Sequence, residues 1–148
     1  MEILIDYISK HQLLLTKWVE TFDLEDYKKS IQYFNILCKR HKIKHIIHNI
    51  SELTYKEREE DYNIEIISAA AKLRSMIPNS NYTVVFITQK PKDVVYTHIY
   101  AQELEIEENY LYCSTTEKAQ ELLLIVDPSL DLDAKFSAIK NNIKDIIQ

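Results

Sequence analysis

The sequence predicts an α/β domain built on a mainly parallel sheet, in the order ββαβαβαβα, with one further helix at the C-terminal end. Three observations carry this. Short apolar, β-branched runs alternate with longer stretches of helical period, the pattern of parallel strands joined by crossover helices. Residues 82–88 (YTVVFIT) are apolar or β-branched almost throughout, as a strand covered on both faces is. The chain has 148 residues, 46% hydrophobic and 28% charged, which suits one soluble domain around one core.

Residues 1–9 and 13–22 are partly alternating apolar runs separated by Lys10-His11-Gln12, and they read as a hairpin. Asp23 offers an N-cap, with Glu25 and Asp26 in the following turn, where negative charge suits the helix dipole. Leu24, Tyr27, Ile31, Phe34 and Cys38 then recur at alternating steps of three and four, one face of an amphipathic helix. Residues 45–50 (HIIHNI) read as a short buried strand. Thr54 and Glu57 have the T-x-x-E spacing of a capping box opening a second helix. Its apolar line is Ile66, Ala70, Leu73 and Ile77, and Pro78 closes it. Pro91 at a first helical position starts a third helix running to about residue 108. Residues 110–113 form another strand, and Ser114 to Glu117 a second capping box before the helix carrying Leu122, Leu123 and Val126. Beyond Pro128, Leu132, Phe136, Ile139, Ile143 and Ile146 line one side of a last helix. Residues 1–127 are thus one α/β unit and 128–148 an extension. Its apolar stripe needs cover, from the domain itself or from a second subunit in a homodimer.

Composition excludes several chemistries. The chain contains no glycine, where average usage of about 7% would supply roughly ten. A P-loop, a dinucleotide fingerprint, a nucleophile elbow and an EF-hand loop all require it. The net charge of −5 argues against a general nucleic-acid surface. The charge is unevenly placed. Lys28, Lys29, Lys39, Arg40, Lys42 and Lys44 have no acid between them, and Glu52, Glu57, Glu59, Glu60, Asp61 and Glu65 follow. Cys38 and Cys113 are too isolated for a disulfide framework or a zinc set. With no basic leader in MEILIDYISK and no apolar run near 18 residues, a cytoplasmic chain without membrane insertion is expected.

The order of elements over residues 1–127 resembles the STAS domain, the family of sulfate transporters and anti-sigma-factor antagonists. Ile46-Ile47-His48-Asn49-Ile50-Ser51-Glu52-Leu53-Thr54-Tyr55 is similar to the family's hydrophobic strand followed by an "E-L-S-F"-like turn. In the antagonists an acid, a phosphorylated serine and a helix-opening glycine come next. Here the stretch reads Lys56-Glu57-Arg58-Glu59-Glu60: Glu57 stands in for the acid, and Arg58 or Glu59 occupies the phospho-acceptor place. The resemblance implies a STAS-like fold and a partner-binding role without the family's serine switch. Ser51 and Thr54 are the hydroxyls available nearby.

Candidate chemistry is sparse. If 45–50 is a strand, His45 and His48 face opposite ways and share no ion with His41; a helix there would bring all three together. His48 and Asn49 are polar residues near the C-terminal end of a central strand, where parallel sheets tend to bind ligands. The plainer reading, and the preferred one, is that both satisfy neighbouring backbone groups. Cys113 and His98 lack an orienting third residue. Tyr96 and Tyr100, at helical spacing, form a candidate exposed aromatic strip. The reading is therefore a non-enzymatic regulatory or scaffolding module with no metal and no cofactor. Its partner-binding surface comprises Ser51, Thr54, Glu57, Arg58 and Glu59. The alternative is a small-molecule binder of a nucleotide or acyl ligand at the sheet edge formed by His48, Asn49, Thr88, Gln89 and Lys90.

Overall fold

The computed structural model describes residues 1–56, 59–76, 82–104 and 110–146. Strands β1 (Glu2–Ile8) and β2 (Leu13–Thr21) form the antiparallel hairpin, closed by a 3₁₀ turn at Ser9–His11. Helix α1 (Leu24–Arg40) leads to β3 (His45–Thr54), α2 (Glu60–Ser75) to β4 (Thr83–Ile87), and α3 (Pro91–Leu104) towards β5 (Tyr110–Cys113). The strands lie side by side in chain order, and β2 to β5 pair in parallel. The parallel strands step in one direction across the sheet, and α1, α2 and α3 lie on the same face, around one cavity. Helices α4 (Thr116–Leu122) and α5 (Leu132–Ala138) cover the other face.

Strand alternation sorts the core into these two faces. Leu14, Ile46, Val84, Phe86 and Tyr110 point to the three-helix side, whereas Leu13, Leu15, Ile47, Val85 and Ile87 meet Ala119, Leu123, Leu132 and Phe136. Both faces of the middle strands are apolar because both are covered, as the uninterrupted 82–88 run implied. The pairing of β2 with β3 slips between Lys17 and Val19, which face Asn49 and Glu52. That extra residue in β3 brings Ile50 and Leu53 to the same face.

Asp23 caps α1 as expected, its carboxylate accepting from Asp26 N at 2.8 Å. Asp23→Ala should cost about 1 kcal/mol, read as a lower urea midpoint with an unchanged slope. Without glycine, the left-handed positions among the described residues fall to Gln12, Glu20 and Leu124, at φ of 51°, 71° and 58°.

Three boundaries depart from the sequence reading. Strand β3 continues to Thr54, so Thr54 does not cap α2: its carbonyl accepts from Phe22 N at 2.8 Å and its hydroxyl meets that of Thr21 at 3.1 Å. The continued ladder with β2 satisfies backbone groups that a free cap would leave to water. Helix α2 starts after Glu59, and the expected partner Glu57 and the stop at Ile77 and Pro78 lie outside the described residues. The second cap falls on Thr115, one residue later than read, accepting from Lys118 N at 3.1 Å. Helix α4 stops at Leu122, and Val126 is exposed.

The C-terminal segment is not one helix. It breaks after α5 and resumes as α6 (Ile143–Ile146), with Asn141 O accepting from Ile5 N at 2.8 Å and Asn142 bridging Leu4. Residues 139–142 therefore run along the open edge of β1. Leu132 and Phe136 fill the α4 side and Ile143 the three-helix side. A single stripe cannot serve two faces of a sheet, so the helix is interrupted where the chain rounds the edge. These side chains have cover within the chain and require no second subunit.

Candidate functional site

The residues singled out from sequence mostly hold the structure together. Ser51 donates through both N and Oγ to Asn49 Oδ1, at 3.1 and 2.5 Å. Glu59 is exposed before α2, and Glu57 and Arg58 lie outside the described residues. After β4, the buried Thr88 donates to Asp93 Oδ2 at 2.6 Å and accepts from Lys90 N at 3.1 Å. Lys90 Nζ donates to Leu53 O at 2.8 Å, and Gln89 is exposed. The turn is thus tied to the start of α3 and to β3. Burial raises the Asp93 carboxyl, and the Thr88 hydroxyl and the Lys90 charge oppose that rise. Thr88→Val should lose about 1–3 kcal/mol by leaving a buried carboxyl oxygen without its donor, measurable by chemical denaturation.

The histidines do not converge. His41 is exposed after α1, while His45 and His48 lie on β3 with opposite parity. Among the described residues no cluster of three or more His, Cys, Asp or Glu could hold a metal. Burial pushes the Cys38 thiol up to about 11 on α1 and also raises that of Cys113, whose Sγ contacts Thr115 O at 3.4 Å. Neither has the lowered pKa of a reactive thiolate. No helix among the described residues is long and apolar enough to cross a membrane.

What the sequence reading missed lies beneath the three helices. A half-enclosed cavity of about 80 Å³ separates the sheet from α1, α2 and α3. Trp18, Phe34, Phe86 and Tyr110 contribute aromatic walls, with Arg74 from the last turn of α2. Tyr96 and Tyr100 also line it, so they are not an exposed strip; Tyr96 is buried. The Tyr27 and Tyr100 hydroxyls meet at 2.6 Å, and Arg74 donates to the Tyr82 hydroxyl. The described lining contains no carboxylate.

His48 stands in this wall, and its hydrogen bonds define its tautomer. Trp18 Nε1 can only donate, and it reaches Thr16 Oγ1 at 2.9 Å and His48 Nδ1 at 3.3 Å. Thr16 Oγ1, accepting from Trp18, turns its own proton to His48 Nδ1 at 2.5 Å. Nδ1 is therefore an acceptor and Nε2 carries the hydrogen of a neutral ring. Burial, with the Arg74 charge adding to it, holds the His48 pKa down at about 3. The sequence signal was a polar pair within apolar strands: Thr16 and His48 are direct partners in the β2–β3 register.

This architecture is a STAS-like fold: one α/β domain on a five-stranded mixed sheet with helices on both faces. Among solved structures it is similar to "Structure of the Anti-Sigma Factor Antagonist SpoIIAA in its Unphosphorylated Form", with a TM-score of 0.51 and 8% identity over 84% of this chain and 99% of that one. No protein-family model matches the sequence. No curated protein matches it either.

Proposed function

We propose that the chain is a non-enzymatic regulatory or scaffolding module that binds another protein through the corner between β3 and α2. The observation that carries the reading is the exposure of large apolar side chains among charged ones at the starts of α2 and α3. Tyr62, Val94 and Val95 are 44%, 41% and 54% exposed, and Glu59, Glu60 and Asp61 are exposed with them. The Lys92–Glu60 contact at 3.3 Å joins the starts of α2 and α3. Apolar centres with polar rims are the anatomy of protein interfaces. Likeness to an anti-sigma factor antagonist supports the same class of role. On this reading Ser51, Thr54, Glu57, Arg58 and Glu59 border the contact, and exposed Thr54 is the hydroxyl open to modification. Residues 1–127 form the working unit and 128–148 the strap across it. The reading includes a cytoplasmic setting and a homodimer, for which exposed Leu124 and Val126 offer the contact.

The test compares tagged wild-type protein with a Tyr62→Ala/Val95→Asp variant of unchanged melting temperature, by quantitative mass spectrometry of captured proteins. A protein enriched by the wild type and lost with the variant supports the reading. Equal capture by both overturns the assigned surface. Light scattering that gives a monomer removes the dimer.

A second reading, a small-molecule binder, is favoured by the cavity. It moves the ligand from the sheet edge to the sheet face. Of His48, Asn49, Thr88, Gln89 and Lys90, only His48 lines that cavity.

A further inference from the structure

We propose that the cavity between the sheet and helices α1–α3 binds a small, neutral aromatic carbonyl compound, its oxygen accepting from His48 Nε2–H and its ring packed among Trp18, Phe34 and Phe86. The proposal rests on the ligand reading and adds the charge, size and hydrogen-bonding sense of the occupant.

His48 supplies the hydrogen-bonding sense. Thr16 and Trp18 make Nδ1 an acceptor, which puts the ring's one proton on Nε2. No oxygen or nitrogen among the described residues accepts that proton, and the ring stands in the cavity wall. Buried polar groups normally have a partner, so this donor calls for an acceptor from outside the chain. Tyr27 and Tyr100 share one hydrogen bond, which leaves one of their two phenolic protons without an acceptor as well. The described lining holds no carboxylate and no side-chain amide to meet either. Both donors are neutral groups, and a neutral acceptor answers them without bringing a charge into an apolar wall. Arg74 has partners of its own, the Tyr82 hydroxyl among them, so its charge calls for no anion.

The walls define the rest. The rings of Trp18, Phe34 and Phe86 lie 5.7, 5.9 and 5.2 Å from that of His48. A water beside Nε2–H would need about two to four polar partners, and rings offer few. A flat ring carrying an acceptor instead packs among them at aromatic distances. The cavity, about 80 Å³, is several times the roughly 10–15 Å³ one water needs and about half the ~150 Å³ of an engineered cavity that binds benzene. It is open on one side, so a single ring seats with its outer edge at the mouth, and a long acyl chain has no room.

The chain's one tryptophan bonds to His48 Nδ1, so its indole N–H signal in nuclear magnetic resonance reports occupancy. Acetophenone, ethylbenzene, phenylacetate and palmitate are titrated against the isotope-labelled full chain, with the Trp18 indole signal, the His48 ring signals and melting temperature as readouts. Acetophenone should shift the Trp18 signal saturably with a Kd below about 1 mM, raise the Tm, and move the His48 Nε2–H proton downfield. Ethylbenzene, which has the same ring and no acceptor, should shift Trp18 and leave Nε2–H in place. His48→Leu should weaken acetophenone about fivefold and ethylbenzene by less than about twofold. If that variant does not fold, the Nε2–H response of the wild type decides. Equal losses for the two ligands, an unmoved Nε2–H with acetophenone bound, phenylacetate binding more tightly than acetophenone, or palmitate binding alone each overturns the proposal while leaving a ligand site. Silence from all four probes overturns both the proposal and the ligand reading.

Discussion

A chain ending at Asp127 is expected to lose most of its folding free energy. Leu132, Phe136 and Ile143 are each under 5% exposed, on two faces of the sheet. Fully burying such side chains gains about 1.5–3 kcal/mol each, and a domain's whole stability is only about 5–15 kcal/mol. The truncation also removes the partner of Ile5 N on the edge strand, the bond to Asn141 O. An unpaired edge beside newly exposed apolar surface favours association between chains. The truncated protein should therefore melt without a cooperative transition, or aggregate, where the full chain melts sharply. Phe136→Ala isolates the packing contribution: a loss of about 3–5 kcal/mol in urea denaturation, against a change within about 0.5 kcal/mol for the exposed Lys140→Ala. A truncated chain melting within a few degrees of the parent would refute the strap.

The tail shows where sequence periodicity stops being informative. Leu132, Phe136, Ile139, Ile143 and Ile146 have helical spacing, but spacing reports only that apolar residues recur, not which surface each meets. Two surfaces on opposite sides of one sheet gave the same pattern as one. The strands were more legible, because continuous apolar character in 82–88 has one common cause, cover on both sides. Caps were legible where the side chain had no competing use: Asp23 holds α1, whereas Thr54 was drawn into the ladder with β2 by backbone pairing that no local motif records. The candidate site was least legible. Tyr27, Arg74, Tyr82, Tyr100 and Tyr110 come from five different elements or their edges, α1, α2, β4, α3 and β5, and meet only through the crossovers. Ten tyrosines in the composition were the one available hint, and Tyr96 and Tyr100 were placed on the surface because helical spacing does not say which way the helix faces. His48 was noticed as a buried polar residue, but its partners Thr16 and Trp18 sit on β2, thirty or so residues away in sequence.

Stability should fall with acidification well above the carboxylate range, and His48 should be the main cause. Its pKa is about 3 in the folded chain against an ordinary 6.5, because protonation would place a charge in an apolar wall beside Arg74. Between these values the unfolded chain binds the extra proton and the folded chain does not, so stability rises with pH there. It is fully present above about pH 6.5 and is lost by about 1.4 kcal/mol per unit as pH falls towards the folded value. From pH 6.5 to 4.5 the loss is about 2–3 kcal/mol. His45, also lowered by burial, acts in the same direction. Asp93 opposes it, because a carboxyl raised by burial gains a proton sooner in the folded chain than in the unfolded one. Comparison with His48→Gln removes both contributions, since they are common to the two proteins. The glutamine oxygen can accept from Thr16 and Trp18 in place of Nδ1 and does not titrate. Urea denaturation at pH 7, 6, 5.5, 5 and 4.5 should give a steeper decline for the wild type, with the two curves separating by about 2–3 kcal/mol at the acid end. Parallel curves would mean that His48 is protonated without penalty in the folded chain, against the neutral ring that its Thr16 and Trp18 partners define.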